Sequence, residues 1–556
     1  MPLAYELTRN NAGRDGGSGG GWCDKFGAYL GGIGLIMRLN NLTLRFFLLA
    51  AVMMVWHIAT LDAAPDWYSD DYAAYIPNAL SLLHFSPYAL PKYILNPLVD
   101  SAPGTYPPGF PALLVLPIAL FGVNFTAIAV FNLLLLGGFL VVAMRESARQ
   151  IGPWPAAFLG IIVGLSPFVV ALKTQVQSEF AFMLLLWVSF ALARDERRGW
   201  LAVGMAATIL VRLVGGALLP ALPIAVWLRE RRWRMEPVAV SAIAGLLVVL
   251  GMLLVSPQVV GIYVRLVGVN GATQTQTAVP TSSMLSAQAL PELIVSNIKN
   301  LPGKISLIWS DGAQNATDRP ASLVLALRAA TALILLAGVA GFIRAWRAGP
   351  SLMETFLVIE LAGLLVLPAQ MTGPRIFLPL STQLLFYALL AMRGLSAQLP
   401  RQIALGAMML LVAVPAGLNL ATTLRLPEEN YSATEPRAQE FFAWIKANTS
   451  PDDVILCRRT RALVMFTDRF ASDYHQTKVD DGFFPWAAGL KAKYLAVSID
   501  QADVAKIAHA RHLPRTDAGL NAALDIYENE FFGARRDRFP TVYRSERFRI
   551  YRIVQG

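Results

Sequence analysis

Asp66-Trp67-Tyr68-Ser69-Asp70-Asp71 closes a passage that begins with the first long apolar run, roughly Thr43 to Leu61. A helix of about 20 apolar residues crosses the hydrocarbon core of a bilayer, and the run is close to that length. The acidic stretch then puts three carboxylates within six residues at the mouth of that helix. A chain that merely filled lipid has no need of them there. The same polar loop ends at Tyr106-Pro107-Pro108-Gly109, and it is the first place to look for chemistry.

The rest of the 556 residues agrees with a membrane reading. Hydrophobic residues make up 55% and charged residues only 15%, with a mean hydropathy of +0.50; soluble domains carry about 25% charge. The net charge of +10 fits basic cytosolic loops better than nucleic-acid binding, because the arginines sit between apolar runs. Cys23 and Cys457 are the only cysteines. They are far apart and fall on opposite sides of the expected topology, so neither a disulfide framework nor a cysteine metal site follows.

In chain order, residues 1–36 contain the glycine-rich Asp15–Gly21 stretch and read as a disordered cytoplasmic tail. Met37, ahead of Arg38 and Arg45, is a candidate start of translation. Spans are expected at 43–61, 124–144, 155–173, 178–194, 199–211, 213–228, 237–256, 321–343, 352–369, 375–392 and 402–421. Arg145/Arg149, Arg194/Arg197/Arg198, Arg229/Arg231/Arg232/Arg234, Arg344/Arg347 and Arg393/Arg401 mark alternate loops as cytosolic. Loops 62–107 and 257–320 and the tail from 422 then lie outside. Residues 108–122, with Pro108, Pro111 and Pro117, read as a re-entrant or interfacial helix. The alternative is that they span and a further crossing lies elsewhere. Residues 199–228 make a hairpin too short for two full crossings, with Arg212 at its tip. The polar loop 257–320 is long enough to act as a lid. Residues 422–556 read as a small soluble α/β domain, with helical spacing at Ala438–Lys446, buried strands at Val454–Cys457 and Tyr494–Ile499, and a terminal hairpin at Thr541–Arg544 and Phe548–Ile553.

Transfer of a sugar from a lipid phosphate needs a base at the membrane surface, cations for the departing phosphate and a groove for the lipid chain. Asp70 and Asp71 lead as the base, with Asp66 behind them; a helix N-cap for the helix at 72–83 is the competing reading. Glu179, entering the span after Lys173–Ser178, is the second carboxylate, although an acidic residue in a first helical turn also suits the helix dipole. Whether a metal takes part is open; if one does, Asp70 and Glu179 are the residues to share it. Arg212, Arg375 and Lys173 stand at outer helix ends, against the positive-inside trend, and are expected to bind the donor phosphate; snorkelling to headgroups is the alternative. Glu360 and Arg328 fall inside spans at matching depth and are expected to pair.

Taken together, these motifs resemble the GT-C glycosyltransferases, which include the protein O-mannosyltransferases and the lipid A aminoarabinose transferases. The resemblance rests on the acidic first outer loop, Tyr106-Pro-Pro-Gly109, Ser166-Pro167 through Ser178-Glu179, Arg212 in Val211–Gly216, Arg375-Ile-Phe-Leu-Pro379, and the tail elements Phe442–Ile445, Arg461–Arg469 and Phe548–Tyr551. It implies a polytopic α-helical membrane protein of about 11–13 transmembrane helices, with a small C-terminal periplasmic α/β domain (422–556) on a catalytic domain at 37–421. It further implies an inverting enzyme of a bacterial inner membrane that moves a sugar from a polyprenyl phosphate to a periplasmic glycan, lipid or protein. Tyr106 stands where similar proteins carry a phosphate-contacting lysine, and is placed with the donor-phosphate group on that ground. A transporter or flippase of lipid-linked sugars would show internal repeats and helices broken at the midplane, and neither is visible. A glycan-binding homologue without catalysis is the third reading.

Overall fold

A computed structural model describes residues 41–61, 71–90, 106–255, 290–306, 321–367, 373–395, 432–474, 478–499 and 516–555, with isolated positions between them. The chain divides into two compact units, Met1–Arg45 and Phe46–Gly556; everything below concerns the second. Asp66, Asp70, most of loop 257–320, nearly all of the expected span 402–421 and the tail 1–36 lie outside the described residues.

Helix α1 (Asn41–Ala59) is the run that precedes the acidic loop, and α2 (Tyr72–Leu83) begins directly after Asp71. A two-residue strand β1 (Tyr93–Ile94) lies in the loop that follows. Helix α3 (Gly109–Phe121) starts behind Pro107-Pro108 and ends at Gly122, whose φ of +66° turns the chain. Helix α4 (Phe125–Ile151) is capped by Asn124, whose Oδ1 accepts from the Ala127 amide at 3.0 Å. Helices α5 (Pro153–Gly164) and α6 (Pro167–Leu172) each open on a proline, which a first helical turn tolerates because its N–H would be unpaired in any case. The expected span 155–173 is therefore two pieces, divided at Leu165-Ser166.

Next come α7 (Glu179–Arg194), α8 (Arg198–Val211), a 3₁₀ turn at Leu213–Ala217, α9 (Leu218–Glu230) and α10 (Met235–Val255). Helix α11 (Leu290–Ser306) falls inside the loop expected to be a lid and hangs on the end of α13 (Leu352–Leu365): Asn297 Nδ2 donates to the Leu365 and Leu367 carbonyls at 2.9 and 2.8 Å. Helix α12 (Ala321–Arg347) precedes α13, a second 3₁₀ turn at Pro374–Phe377 follows it, and α14 (Leu378–Leu395) packs along α12.

Among the described residues six helices are long and apolar enough to cross a membrane: Asn41–Ala59, Phe125–Ile151, Leu213–Glu230, Met235–Val255, Leu325–Arg347 and Pro374–Arg393. Gly109–Phe121, Pro153–Gly164 and Arg198–Val211 are apolar but shorter. The protein is thus multi-pass, with fewer full-length spans in the described part than the 11–13 expected. One end of the bundle is rich in arginine. There Arg194 pairs with Glu146, Arg149 approaches Asp195 at 3.8 Å, and Arg198 pairs with Glu236. Both ends of α3 meet elements at the opposite end. A Cβ on Gly109 would lie 2.5 Å from the Leu210 carbonyl carbon at the close of α8, and Phe125, just past α3, sets its ring 5.8 Å from that of Tyr72 at the start of α2. Helix α3 leaves and returns on one side, as a non-spanning segment does.

The expected Glu360–Arg328 pair is not formed. On α12 the buried positions include Leu327, Ala330, Thr331, Ile334, Gly338 and Gly341, a helical stripe that leaves Arg328 on the exposed side. Glu360 is buried in α13, and neither of its carboxylate oxygens has a hydrogen-bond partner among the described residues.

The C-terminal region builds a six-stranded sheet in the order β1-β3-β2-β4-β6-β5. Its elements are α15 (Pro436–Asn448), β2 (Val454–Cys457), α16 (Thr460–Thr467), β3 (Phe470–Ser472), α17 (Phe483–Gly489), β4 (Ala492–Ser498), α18 (Asp517–Phe532), β5 (Thr541–Arg544) and β6 (Phe548–Arg552). Strands β2, β3 and β4 run parallel, and β6 is antiparallel to β4 and β5. Leu456, Leu495, Leu524, Phe531 and Tyr551 share its core. The edge strand β1 comes from the loop behind α2 and pairs parallel with β3, Tyr93 opposite Ala471 and Ile94 opposite Ser472. Lys92 reinforces the join through Asp468 at 2.9 Å, and Asn96 Nδ2 donates to the Asp473 carbonyl at 2.7 Å. The acidic loop's own polypeptide therefore fastens the soluble domain to the membrane bundle.

Candidate active site

Asp71 occupies the N-cap position of α2 but makes no side-chain cap bond. Its carboxylate faces two arginines and a tyrosine from three other segments. Arg375 Nη2 donates to Oδ2 at 2.8 Å, the Tyr106 hydroxyl donates to Oδ1 at 2.6 Å, and Arg461 Nη2 reaches Oδ1 at 3.4 Å. Burial by itself would raise this carboxyl. The Arg375 and Arg461 guanidiniums and the Tyr106 hydrogen bond outweigh it and hold Asp71 down at about 2. The competing N-cap reading places the residue correctly in the backbone and misassigns its side chain.

Glu179 opens α7 and is 1% exposed. Arg212 Nη1 donates to its Oε1 at 2.7 Å, and Arg375 Nε stands 3.6 Å from the same oxygen. Arg375 thus lies between the two carboxylates. Arg212 Nη1 also donates to Ser178 Oγ at 3.2 Å, and Ser178 Oγ lies 3.2 Å from the Tyr75 hydroxyl. Local sequence explains each placement. Arg212 is extended (φ −148°, ψ 129°) between α8 and a 3₁₀ turn that carries Gly215-Gly216, so the chain reverses there and presents the side chain to the α7 start. Arg375 rides on Pro374–Phe377, where Pro374 opens the turn. Gly109 admits the close of α8 against α3, where any side chain would meet backbone.

The structure brings Asp71, Tyr106, Glu179, Arg212 and Arg375 into one network. Lys173 stands apart from it: its ammonium donates to the Thr60 carbonyl and hydroxyl and lies over the Trp56 ring, tying α6 to the end of α1. Tyr106 joins the network through Asp71, with its hydroxyl between Asp71 and Arg461. Arg461 is a residue that motif reasoning placed only in the tail. It comes from α16 of the soluble domain, and its one sequence signal is an arginine set in the otherwise apolar Ala462-Leu463-Val464 surroundings of a buried helix. Tyr75, its ring centre 4.6 Å from that of Tyr106 with the planes tilted by 31°, was likewise silent in sequence.

These donors do not fit a divalent cation. Glu179 and Asp71 already face guanidiniums, which repel a second positive charge, and no group of three His, Cys, Asp or Glu side chains stands together among the described residues. Asp70, the other residue expected to share a metal, lies outside them. What the arrangement can do is hold Asp71 ionised and offer two arginine forks to an anion that competes for them.

Residues 105–368 match the family model described as Glycosyltransferase family 87. Two solved structures share the fold. The archaeal oligosaccharyltransferase AglB from Archaeoglobus fulgidus, in complex with an inhibitory peptide and a dolichol-phosphate, is 11% identical, with 90% of this chain and 72% of that chain covered at a TM-score of 0.53. The Archaeoglobus fulgidus oligosaccharyltransferase in complex with Zn and sulfate is 10% identical, covering 92% and 73% at 0.51. None of the curated proteins matches in sequence. The family match gives the activity class, glycosyl transfer, and the structural likeness gives the GT-C fold.

Proposed function

We propose that this membrane glycosyltransferase takes its sugar from a polyprenyl phosphate and transfers it, with inversion, to an acceptor hydroxyl on the periplasmic face of a bacterial inner membrane. The observation that carries the reading is the chain of alternating charge Asp71–Arg375–Glu179–Arg212, at the end of the bundle opposite the arginine-rich loops. The positive-inside trend makes that end the outer one. A lipid phosphate arriving at headgroup depth meets Arg212 and Arg375, the cations suited to binding its oxygens in a fork. AglB was solved with a dolichol-phosphate, a ligand of the class proposed here.

The step follows from the same geometry. The acceptor oxygen forms a bond to the anomeric carbon while the bond from that carbon to the phosphate oxygen breaks. The acceptor proton passes to Asp71, and the departing polyprenyl phosphate takes the bonding electron pair, gaining one negative charge that Arg375 and Arg212 stabilise. A carboxylate held at about 2 is a weak base at neutral pH. Donor phosphate removes that obstacle by drawing Arg375 away from Asp71 Oδ2, so the base gains strength only when the donor is in place. Glu179 keeps Arg212 oriented. Asp70 and Asp66 remain further candidates on the same loop. No step is routed through a metal.

Asp71→Asn tests the reading. Polyprenyl phosphate release in source membranes, followed by mass spectrometry, should fall by about 10²-fold or more, the usual range for losing a general base. Purified protein should still bind undecaprenyl phosphate. Unchanged release would remove Asp71 as the base.

A further inference from the structure

The C-terminal domain sends the Arg461 side chain into the site. Arg461 is 6% exposed; its Nη1 donates to the Tyr106 hydroxyl at 2.8 Å and its Nη2 reaches Asp71 Oδ1 at 3.4 Å. Guanidinium has donors and no acceptor. The Tyr106 oxygen must therefore accept from Arg461, and its single proton must go to Asp71 Oδ1, 2.6 Å away. That fixes the sense of the whole relay. Oδ1 is held by the relay, and Oδ2, which faces Arg375, is the oxygen left to meet an acceptor once a phosphate takes Arg375.

The relay is anchored at both ends. Tyr88 donates to the Tyr106 carbonyl at 2.7 Å, and the segment between them passes through the soluble domain as β1. The Ala471 amide donates to the Lys92 carbonyl at 3.0 Å, and the Arg461 guanidinium lies 5.6 Å from the Tyr106 ring centre. Arg461 and Tyr106 thus move as parts of one frame. We propose that Arg461 is a positioning residue for the general base, acting through the Tyr106 hydroxyl to fix which Asp71 oxygen receives the proton, so that the C-terminal domain is part of the catalytic apparatus. The proposal rests on Asp71 being the base.

The test uses the full chain in nanodiscs, with undecaprenyl phosphate as the binding probe and lipid extracted from source membranes as the donor. Arg461→Gln should lower turnover by about tenfold or more, the scale of a small misplacement of a reacting group. Affinity for undecaprenyl phosphate should stay within about threefold, and Arg461→Lys should restore part of the rate. The acid limb of the pH profile should move to higher pH, since a cation that favours ionised Asp71 is gone. Among the described residues, the other groups on Asp71 are Arg375, Tyr106 and, through space, Tyr75, with Glu179 across Arg375; all remain in the variant. In an Asp71→Asn background Arg461→Gln should cost nothing more.

A loss of affinity equal to the loss of turnover would make Arg461 a phosphate ligand and overturn the proposal. So would an unmoved acid limb, or activity that merely tracks the folded fraction in both variants. An active Asp71→Asn enzyme would remove the base itself, whereas an inactive one beside an unaffected Arg461→Gln would remove only the positioning role.

Discussion

Asp71→Asn removes one charge and almost no volume, which makes it a clean probe of the network's contribution to stability. In the folded chain, burial raises the carboxyl while Arg375, Arg461 and Tyr106 lower it further, leaving it at about 2 against 3.8 unperturbed. At ~1.36 kcal/mol per pH unit, that difference corresponds to roughly 2 kcal/mol favouring the folded state. The folded value is the depressed one. The contribution is therefore complete above 3.8 and disappears as pH falls through about 2. Asparagine cannot titrate, and the two proteins share every other ionising group. The gap between their thermal midpoints, measured in detergent without donor, should be level from pH 8 to about pH 5 and close toward about pH 2. For a chain of this length, 1 kcal/mol moves the midpoint by about 2 °C or less, so the neutral-pH gap should be a few degrees. A gap that stayed constant across that range, or widened on acidification, would refute the electrostatic account of Asp71.

Glu360→Leu should leave the fold as stable or raise its thermal midpoint, since the buried Glu360 carboxyl makes no hydrogen bond among the described residues and replacing it with an apolar side chain removes a desolvation penalty of about 1–3 kcal/mol; a fall of several degrees would show that the Arg212 charge or another partner holds Glu360 in place. Gly109→Ala forces a Cβ to within 2.5 Å of the Leu210 backbone, and overpacking of this kind costs about 1–3 kcal/mol. Because the displaced segment leads into Arg212, turnover should drop together with the midpoint, and a variant of wild-type stability and rate would mean that α3 and α8 are free to separate.

Membrane character, the chain reversal at Arg212 and the C-terminal α/β region were all legible from the order of residues alone. Each depends on local patterning: apolar run length, proline and glycine placement, and the two-residue or 3.6-residue repeat. That Asp71, Glu179, Arg212 and Arg375 were candidates was visible for a related reason, because charge at the end of an apolar run is conspicuous. What the residues could not give was partnership. Arg328 and Glu360 match in depth, yet the angular phase of α12, set by Leu327, Ala330 and Thr331, turns the arginine away. Lys173 looks like Arg212 in sequence, and only the packing of α6 against α1 commits it to Thr60. Arg461 lies 390 positions from Asp71. It arrives there because β1 pairs with β3, and a two-residue strand leaves almost no pattern to read. Sequence fixes the chemistry a segment carries, since that is covalent. Which segments face one another is decided by long-range pairing and burial, which belong to the whole chain and appear only when it is folded.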